Sequence, residues 1–113
     1  MNYEIIVTEN FRKLAKSLSK KHHSLKVDLS RLIESLEKEP SQGVYLGKDC
    51  YKIRMAISSK GKGKSGGARI ITCVKIVSNS VFLLTIYDKS ATDSVTEKEI
   101  DDLLAEEGLT DEA

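Results

Sequence analysis

Cysteine occurs twice in these 113 residues, at Cys50 and Cys73. Two are too few for a disulfide scaffold, and they stand too far apart for a C-x-x-C motif. Long apolar runs are also missing. The longest nearly uncharged stretch, 81–87, holds seven residues, against the roughly 20 that a membrane helix needs. The first residues, Met1, Asn2, Tyr3 and Glu4, show no basic region followed by an apolar block, so no secretory signal is expected. No internal repeat is present. These absences point to a reduced, cytoplasmic protein. Apolar residues at 40% and charged residues at 31% are ordinary for a folded globular chain. The length is that of one domain, taken as 1–113.

The net charge of +1 hides a segregation. Residues 1–47 carry 8 basic and 6 acidic groups, residues 48–89 carry 9 and 2, and residues 90–113 carry 1 and 9. Such segregation is usually a matter of solvation. Here the basic groups fall on strand-like sequence, where side chains have fixed directions, and a polyanion-binding face becomes a specific possibility.

Residues 3–7 read as a short strand. Phe11, Leu14, Ala15 and Leu18 follow the i, i+3, i+4, i+7 spacing of an amphipathic helix, and Leu25, Leu29, Leu32, Ile33 and Leu36 define a second. Ser24 is the expected cap of that second helix and Pro40 its stop. Residues 41–43 and 46–47 read as loop. Strands are expected at 50–57, 68–77 and 81–89, joined by connections short enough for an antiparallel meander. Thr96 to Glu99 is a capping box opening a short acidic helix with Ile100, Leu103 and Leu104 as its apolar stripe. The acidic stretch 93–112 is expected to pack through those three and to be solvated elsewhere. The order β-α-α-β-β-β-α defines an α+β fold, with the two N-terminal helices packed on one face of an antiparallel sheet.

Counting by twos places Lys52 and Arg54 together on the face away from the helices, with Arg69 in phase with Ile71, Cys73 and Lys75. Leu83, Thr85, Tyr87 and Lys89 share a side of the last strand. Lys52, Arg54, Arg69, Tyr87 and Lys89 then cluster beside a loop carrying Lys60, Lys62 and Lys64. That loop superficially matches a phosphate-binding P-loop at Gly63-Lys64-Ser65. Ser58 stands where the motif needs its first glycine, and a strand follows instead of a helix, so nucleotide hydrolysis is rejected. The loop composition suits contact with a nucleic-acid backbone, each lysine neutralising one phosphate; a solvated hairpin loop is the plain alternative. Cys50 and Cys73 read as small buried hydrophobes, Tyr3 and Tyr51 as packing residues, and His22 and His23 as plain surface residues. Arg54 and Arg69 lie inside otherwise apolar strands and are expected to face a solvent cleft or a partner, since a buried unpaired charge is expensive.

The chemistry open to this face is limited. It has no carboxylate pair for Mg²⁺ and no Cys/His spacing for zinc, so no metal or cofactor is expected. RNA cleavage by its own 2′-hydroxyl requires neither. It requires a group to take the 2′-OH proton, cations to stabilise the phosphorane, and a donor for the leaving 5′-oxygen. Clustered positive charge would both bind phosphate and push a tyrosine towards ionisation.

Three segments, Leu46-Gly-Lys-Asp-Cys-Tyr-Lys-Ile-Arg54, Ser59-Lys-Gly-Lys-Gly-Lys-Ser-Gly-Gly-Ala-Arg-Ile-Ile71 and Leu83-Leu-Thr-Ile-Tyr-Asp-Lys89, in this order and with the helical hairpin and final helix, resemble the RelE/ParE superfamily of bacterial toxins, particularly its HigB/RelE-like members. The resemblance implies the toxin of a type II toxin–antitoxin pair that enters the ribosomal A site and cuts mRNA without metal. It implies a cognate antitoxin, often with a DNA-binding domain, and repression of the operon by the complex on operator DNA. It implies base and phosphate roles for Lys52 and Arg54, transition-state stabilisation by Arg69, and functional roles for Tyr87 and Lys89. Some relatives carry a further Arg and Tyr near the last helix; Ser90-Ala-Thr-Asp-Ser94 offers neither, which leaves Tyr87 or Lys89 as leaving-group donor. A ParE-like toxin that blocks DNA gyrase without nuclease activity is the competing reading.

Overall fold

The computed structural model describes residues 2–92 and 94–110; Asp93, Asp111 and Glu112 of the acidic stretch lie outside them. The first strand, β1 (Glu4–Val7), ends at Thr8. The Thr8 side chain accepts from the Phe11 amide at 3.3 Å as the N-cap of α1 (Glu9–Lys21), and its hydroxyl donates to the Leu83 carbonyl at 2.7 Å. Residues 22–24 connect to α2 (Leu25–Lys38), which stops two residues short of Pro40 because proline pushes the preceding residue out of the helical region. Ser24 occupies the N-cap position without capping through its side chain. Its hydroxyl instead donates to the Asp28 carboxylate at 2.9 Å and accepts from the Ser59 amide at 2.8 Å, so the expected cap is replaced by a tie to a distant loop.

Among the described residues the strands form one five-stranded sheet in the order β1-β5-β4-β3-β2, with β3 (Cys50–Met55), β4 (Ala68–Lys75) and β5 (Ser80–Asp88) as its centre. The pairing is antiparallel except that β1 runs parallel to β5. Residues 46–47, expected as loop, are the end of β2 (Val44–Gly47), which pairs with β3. Lys48 and Asp49 both adopt left-handed backbone (φ 53° and 65°), the geometry of a two-residue hairpin turn usually written with Asn-Gly. The unusual turn residues are why the hairpin escapes sequence inspection.

Phe11, Leu25 and Leu36 of the two helices are buried against Ile53, Ile70 and Leu83 on one face of the sheet. Each such side chain contributes about 1.5–3 kcal/mol. The other face is not open throughout. Helix α3 (Glu97–Glu106), started by the Thr96–Glu99 capping box, lays Ile100 and Leu104 on Cys50, Ile71, Cys73 and Leu84, as the apolar stripe requires. The basic segment between β3 and β4 contains two short 3₁₀ turns, Ser58–Lys60 and Lys64–Gly66. At its end Gly67 presses so closely on the Met55 carbonyl that any side chain would clash. The fold is α+β. No helix among the described residues is long and apolar enough to cross a membrane.

Candidate RNA-binding and cleavage site

The register of the three central strands aligns the basic residues in rows. Arg54 on β3 faces Arg69 on β4, which faces Tyr87 on β5. The next row is Lys52, Ile71 and Thr85, and the one after it Cys50, Cys73 and Phe82. With strands about 4.8 Å apart, Lys52, Arg54, Arg69 and Tyr87 meet on the face away from α1 and α2. The side assigned to Leu83 by counting is wrong. A register shift pairs Thr85 with Ile71 but Leu83 with Thr72, leaving Leu84 as a bulge. Leu83 therefore enters the core under the helices, while Thr85 and Tyr87 stay on the opposite face.

Arg54 is exposed, as expected, but Arg69 is not in a solvent cleft. It is 5% exposed. Its guanidinium donates to the carbonyls of Lys64 (2.9 Å), Ala68 (3.3 Å) and Ser65 (3.4 Å). It is a buried cation held by three backbone oxygens, and it ties the 64–66 turn to the sheet. A buried charge is tolerated when its donors are matched in this way.

Two depressions flank Lys52. A groove of about 480 Å³ is lined by Val44, Lys52, Arg54 and Lys64. A cavity of about 290 Å³ lies on the other side, between Lys52, Ile71, Tyr87, Val95, Ile100 and the Lys48–Asp101 ion pair (2.5 Å). The first collects three cations. The second has an apolar floor and also receives Glu97 from α3. Glu97 and Asp101 thus stand at the edge of a face expected to have no carboxylate pair, because α3 returns the acidic segment to it. Among the described residues no group of three or more His, Cys, Asp or Glu side chains is placed to hold a metal ion.

Tyr87 does not behave as charge counting suggests. Burial, the largest effect, pushes its phenol above the usual tyrosine value. Arg69 and the Val95 amide pull the other way and do not prevail, and Glu99 adds to the rise. The side chain is a protonated hydrogen-bond donor at neutral pH rather than a phenolate.

The remaining basic residues divide. Lys62 is exposed on the loop. Lys60 lies elsewhere: its ammonium is 2.9 Å from the Asp88 carboxylate and 3.0 Å from the Ser90 hydroxyl. Asp88 pairs with Ala68 of the core beneath the helices, so it points away from Tyr87, and His22 meets its other oxygen at 3.1 Å. His22 is therefore half-buried in an ionic cluster instead of being a plain surface residue. Lys89 follows β5 and its amide donates to the Gly67 carbonyl at 3.0 Å, closing the base of the loop. Lys75 is 3.1 Å from Asp49. Asp28, missed from the sequence, accepts from the Ser58 amide (2.9 Å) and hydroxyl (2.6 Å), fixing the loop's first turn to α2. The available signal for Asp88 was its phase with Ile86, which faces the helices.

Solved structures share this fold. The free E. coli toxin RelE carrying two arginine-to-alanine substitutions is 19% identical, with 82% of this chain and 90% of that chain covered and a TM-score of 0.59. The M. tuberculosis RelBE2 toxin–antitoxin complex is 13% identical, covering 78% of this chain and 99% of that one at a TM-score of 0.55. The Helicobacter pylori conserved hypothetical protein HP0892 is 20% identical, covering 78% and 96% at a TM-score of 0.53. No curated protein sequence matches the chain. The architecture is thus the one these three structures share. The model of the RelE toxin of the RelE/RelB toxin–antitoxin system matches residues 4–110, and the chain belongs to this RelE toxin family.

Proposed function

We propose that this toxin is a ribosome-dependent, metal-independent mRNA endoribonuclease that inhibits translation in the cytoplasm. The observation that carries the reading is the groove shared by Lys52, Arg54 and Lys64, with Tyr87 just across Lys52. Arg54 and Lys64 grip the scissile phosphate and its negatively charged transition state. An unstacked neighbouring base lies over the apolar floor of the adjoining cavity. The RNA's 2′-oxygen attacks the phosphorus, and Lys52, lining both depressions, is the group placed to take its proton. Tyr87, held protonated by burial, donates to the departing 5′-oxygen. Arg69 contributes its charge from below and sets the Lys64 turn. Lys62 adds backbone contact, while Lys60 and Lys89 hold the ends of the loop. The ribosome supplies the substrate alignment that this shallow face lacks.

The partners that follow are mRNA on the ribosome and a cognate antitoxin. An antitoxin with a DNA-binding domain would carry the complex to operator DNA. The test is induction of the chain in cells without antitoxin, with mRNA 5′ ends mapped for the native chain and for Arg54→Ala, whose side chain is exposed. Cuts within codons that vanish in Arg54→Ala support the reading. Intact mRNA with DNA damage replaces it by gyrase inhibition.

A further inference from the structure

Cys50 and Cys73, the two cysteines of the chain, lie on the same sheet face as the basic row and two rows from it. They are direct cross-strand partners on β3 and β4. At the adjoining position the Val74 amide donates to the Asp49 carbonyl at 2.9 Å. That assigns 49 and 74 to a hydrogen-bonded position and 50 and 73 to a non-hydrogen-bonded one, where Cα atoms approach to about 4.5 Å and the side chains are closest. A disulfide needs Cα atoms about 4.4–6.8 Å apart with Cβ atoms directed at each other. The register meets the first requirement and sends both side chains off the same face, where the two thiols are hydrogen-bonded to each other.

We infer that Cys50 and Cys73 are an oxidisable pair that closes an intrachain disulfide with the sheet intact, and that α3 controls access to it. Both thiols are 0% exposed beneath Ile100 and Leu104. The Cys73 thiol and burial together push the Cys50 thiol well above its usual value, so the covered pair is inert. Lifting α3 removes the cover and admits a hydroperoxide. One thiolate attacks a peroxide oxygen and breaks the O–O bond. With hydrogen peroxide this gives a sulfenic acid and, after proton uptake, one water. The second sulfur then attacks the sulfenyl sulfur, the S–O bond breaks, and a second water leaves. Two thiols lose two electrons to one peroxide. The bond joins the two strands that carry Lys52, Arg54 and Arg69 and closes a ring containing the whole basic loop.

The experiment treats the full chain with hydrogen peroxide under native conditions and follows the mass, the cysteine-linked peptides and the melting temperature. The expected product is a monomer lighter by two hydrogens, with Cys50 joined to Cys73 and a melting temperature higher by on the order of 10 °C. Leu104→Ala, which empties the contact of α3 on the pair, should raise the oxidation rate by at least about tenfold. Lys48→Ala removes only the exposed Lys48–Asp101 tie and should raise it by roughly two- to fivefold without endangering the fold. Cys73→Ser must abolish the product. Sulfinic acids or linked dimers in place of the intrachain bond, or a lowered melting temperature, overturn the pair. Wild-type rates in both Leu104→Ala and Lys48→Ala overturn the control by α3.

Discussion

Arg69→Ala tests whether this residue belongs to the site through its charge alone or also as a structural clamp. The substitution removes one good hydrogen bond, at 2.9 Å to the Lys64 carbonyl, and two long ones. A hydrogen bond from a charged donor contributes about 1.5–3 kcal/mol, and the longer pair adds less. Loss of the buried stem adds destabilisation, and release of a desolvated charge offsets part of it. The net expectation is a loss of about 2–3 kcal/mol, which lowers the melting temperature of a chain this size by roughly 10–20 °C. Arg54, exposed on the neighbouring strand, sets the contrast: Arg54→Ala should change stability by less than about 0.5 kcal/mol. Arg69→Lys keeps the charge but not the planar fork and should fall between them. With no tryptophan in the chain, urea unfolding followed by circular dichroism is the assay. An Arg69→Ala protein as stable as the native chain, with the same denaturant slope, would refute the clamp. The functional consequence is practical. Lost cleavage in Arg69→Ala mixes chemistry with a displaced Lys64 turn, so Arg54→Ala is the cleaner probe of transition-state charge.

Tyr87→Phe should lower the cleavage rate by about 10²–10⁴-fold while leaving ribosome binding within twofold or so. Because the Tyr87 pKa is raised in the folded chain, its proton is present throughout neutral pH. Single-turnover rates should fall only above about pH 10, where the native fold also begins to lose the stability tied to the protonated phenol. Burial pushes the Asp28 and Asp88 carboxyls up, but hydrogen bonds outweigh it and both end below the usual value: Ser58 and Ser24 act on Asp28, and Lys60, the Ser90 amide and His22 on Asp88. Their stabilisation is complete above the unfolded carboxylate value, about 3.9, and is lost as pH falls through the lower folded values. Acid titration of stability in Asp28→Asn and Asp88→Asn should show a shallower decline below that point. Ribosome affinity should weaken with salt at a log–log slope of roughly −2 to −3 if Arg54, Lys62 and Lys64 each meet a phosphate, and Arg54→Ala should reduce the slope by about one.

What could be read from the chain was what depends on periodicity. The helix spacings of Phe11 to Leu18 and Leu25 to Leu36, the alternation around Lys52 and Arg54, and the Thr96 capping box are local patterns, and all reappear in the structure. The misses share a different cause. Strand β2 depends on a turn whose left-handed residues are Lys48 and Asp49, which carry no turn signature in sequence. The placement of Lys60 depends on an acidic partner 28 residues away, Asp88, whose side of the sheet is set by register. The protonation of Tyr87 depends on how much of it α3 and its leading segment cover, which composition cannot supply. Counting charges saw the cations around Tyr87 and overlooked desolvation, the larger effect.

The bulge at Leu84 shows why period-two reasoning failed at the point that positions the site. Strand β5 serves two neighbours of different length. Its first half pairs with β1 only as far as Val7 and Leu83. Beyond that point α1 takes over the freed carbonyls: Thr8 donates to Leu83 at 2.7 Å and Asn10 to Leu84 at 2.9 Å. A strand that loses its partner midway can absorb an extra residue there, because the disrupted ladder is met by side chains from a helix cap. The inserted residue changes the phase of everything after it. Val81 and Leu83 fill the core under the helices, and Thr85 and Tyr87 turn to the other face. Without that residue the apolar half of β5 and its Tyr87 end would share one side, and the strand would have to expose Leu83 or bury Tyr87 beneath the helices. The site on this face therefore rests on the cap of a helix packed against the opposite one.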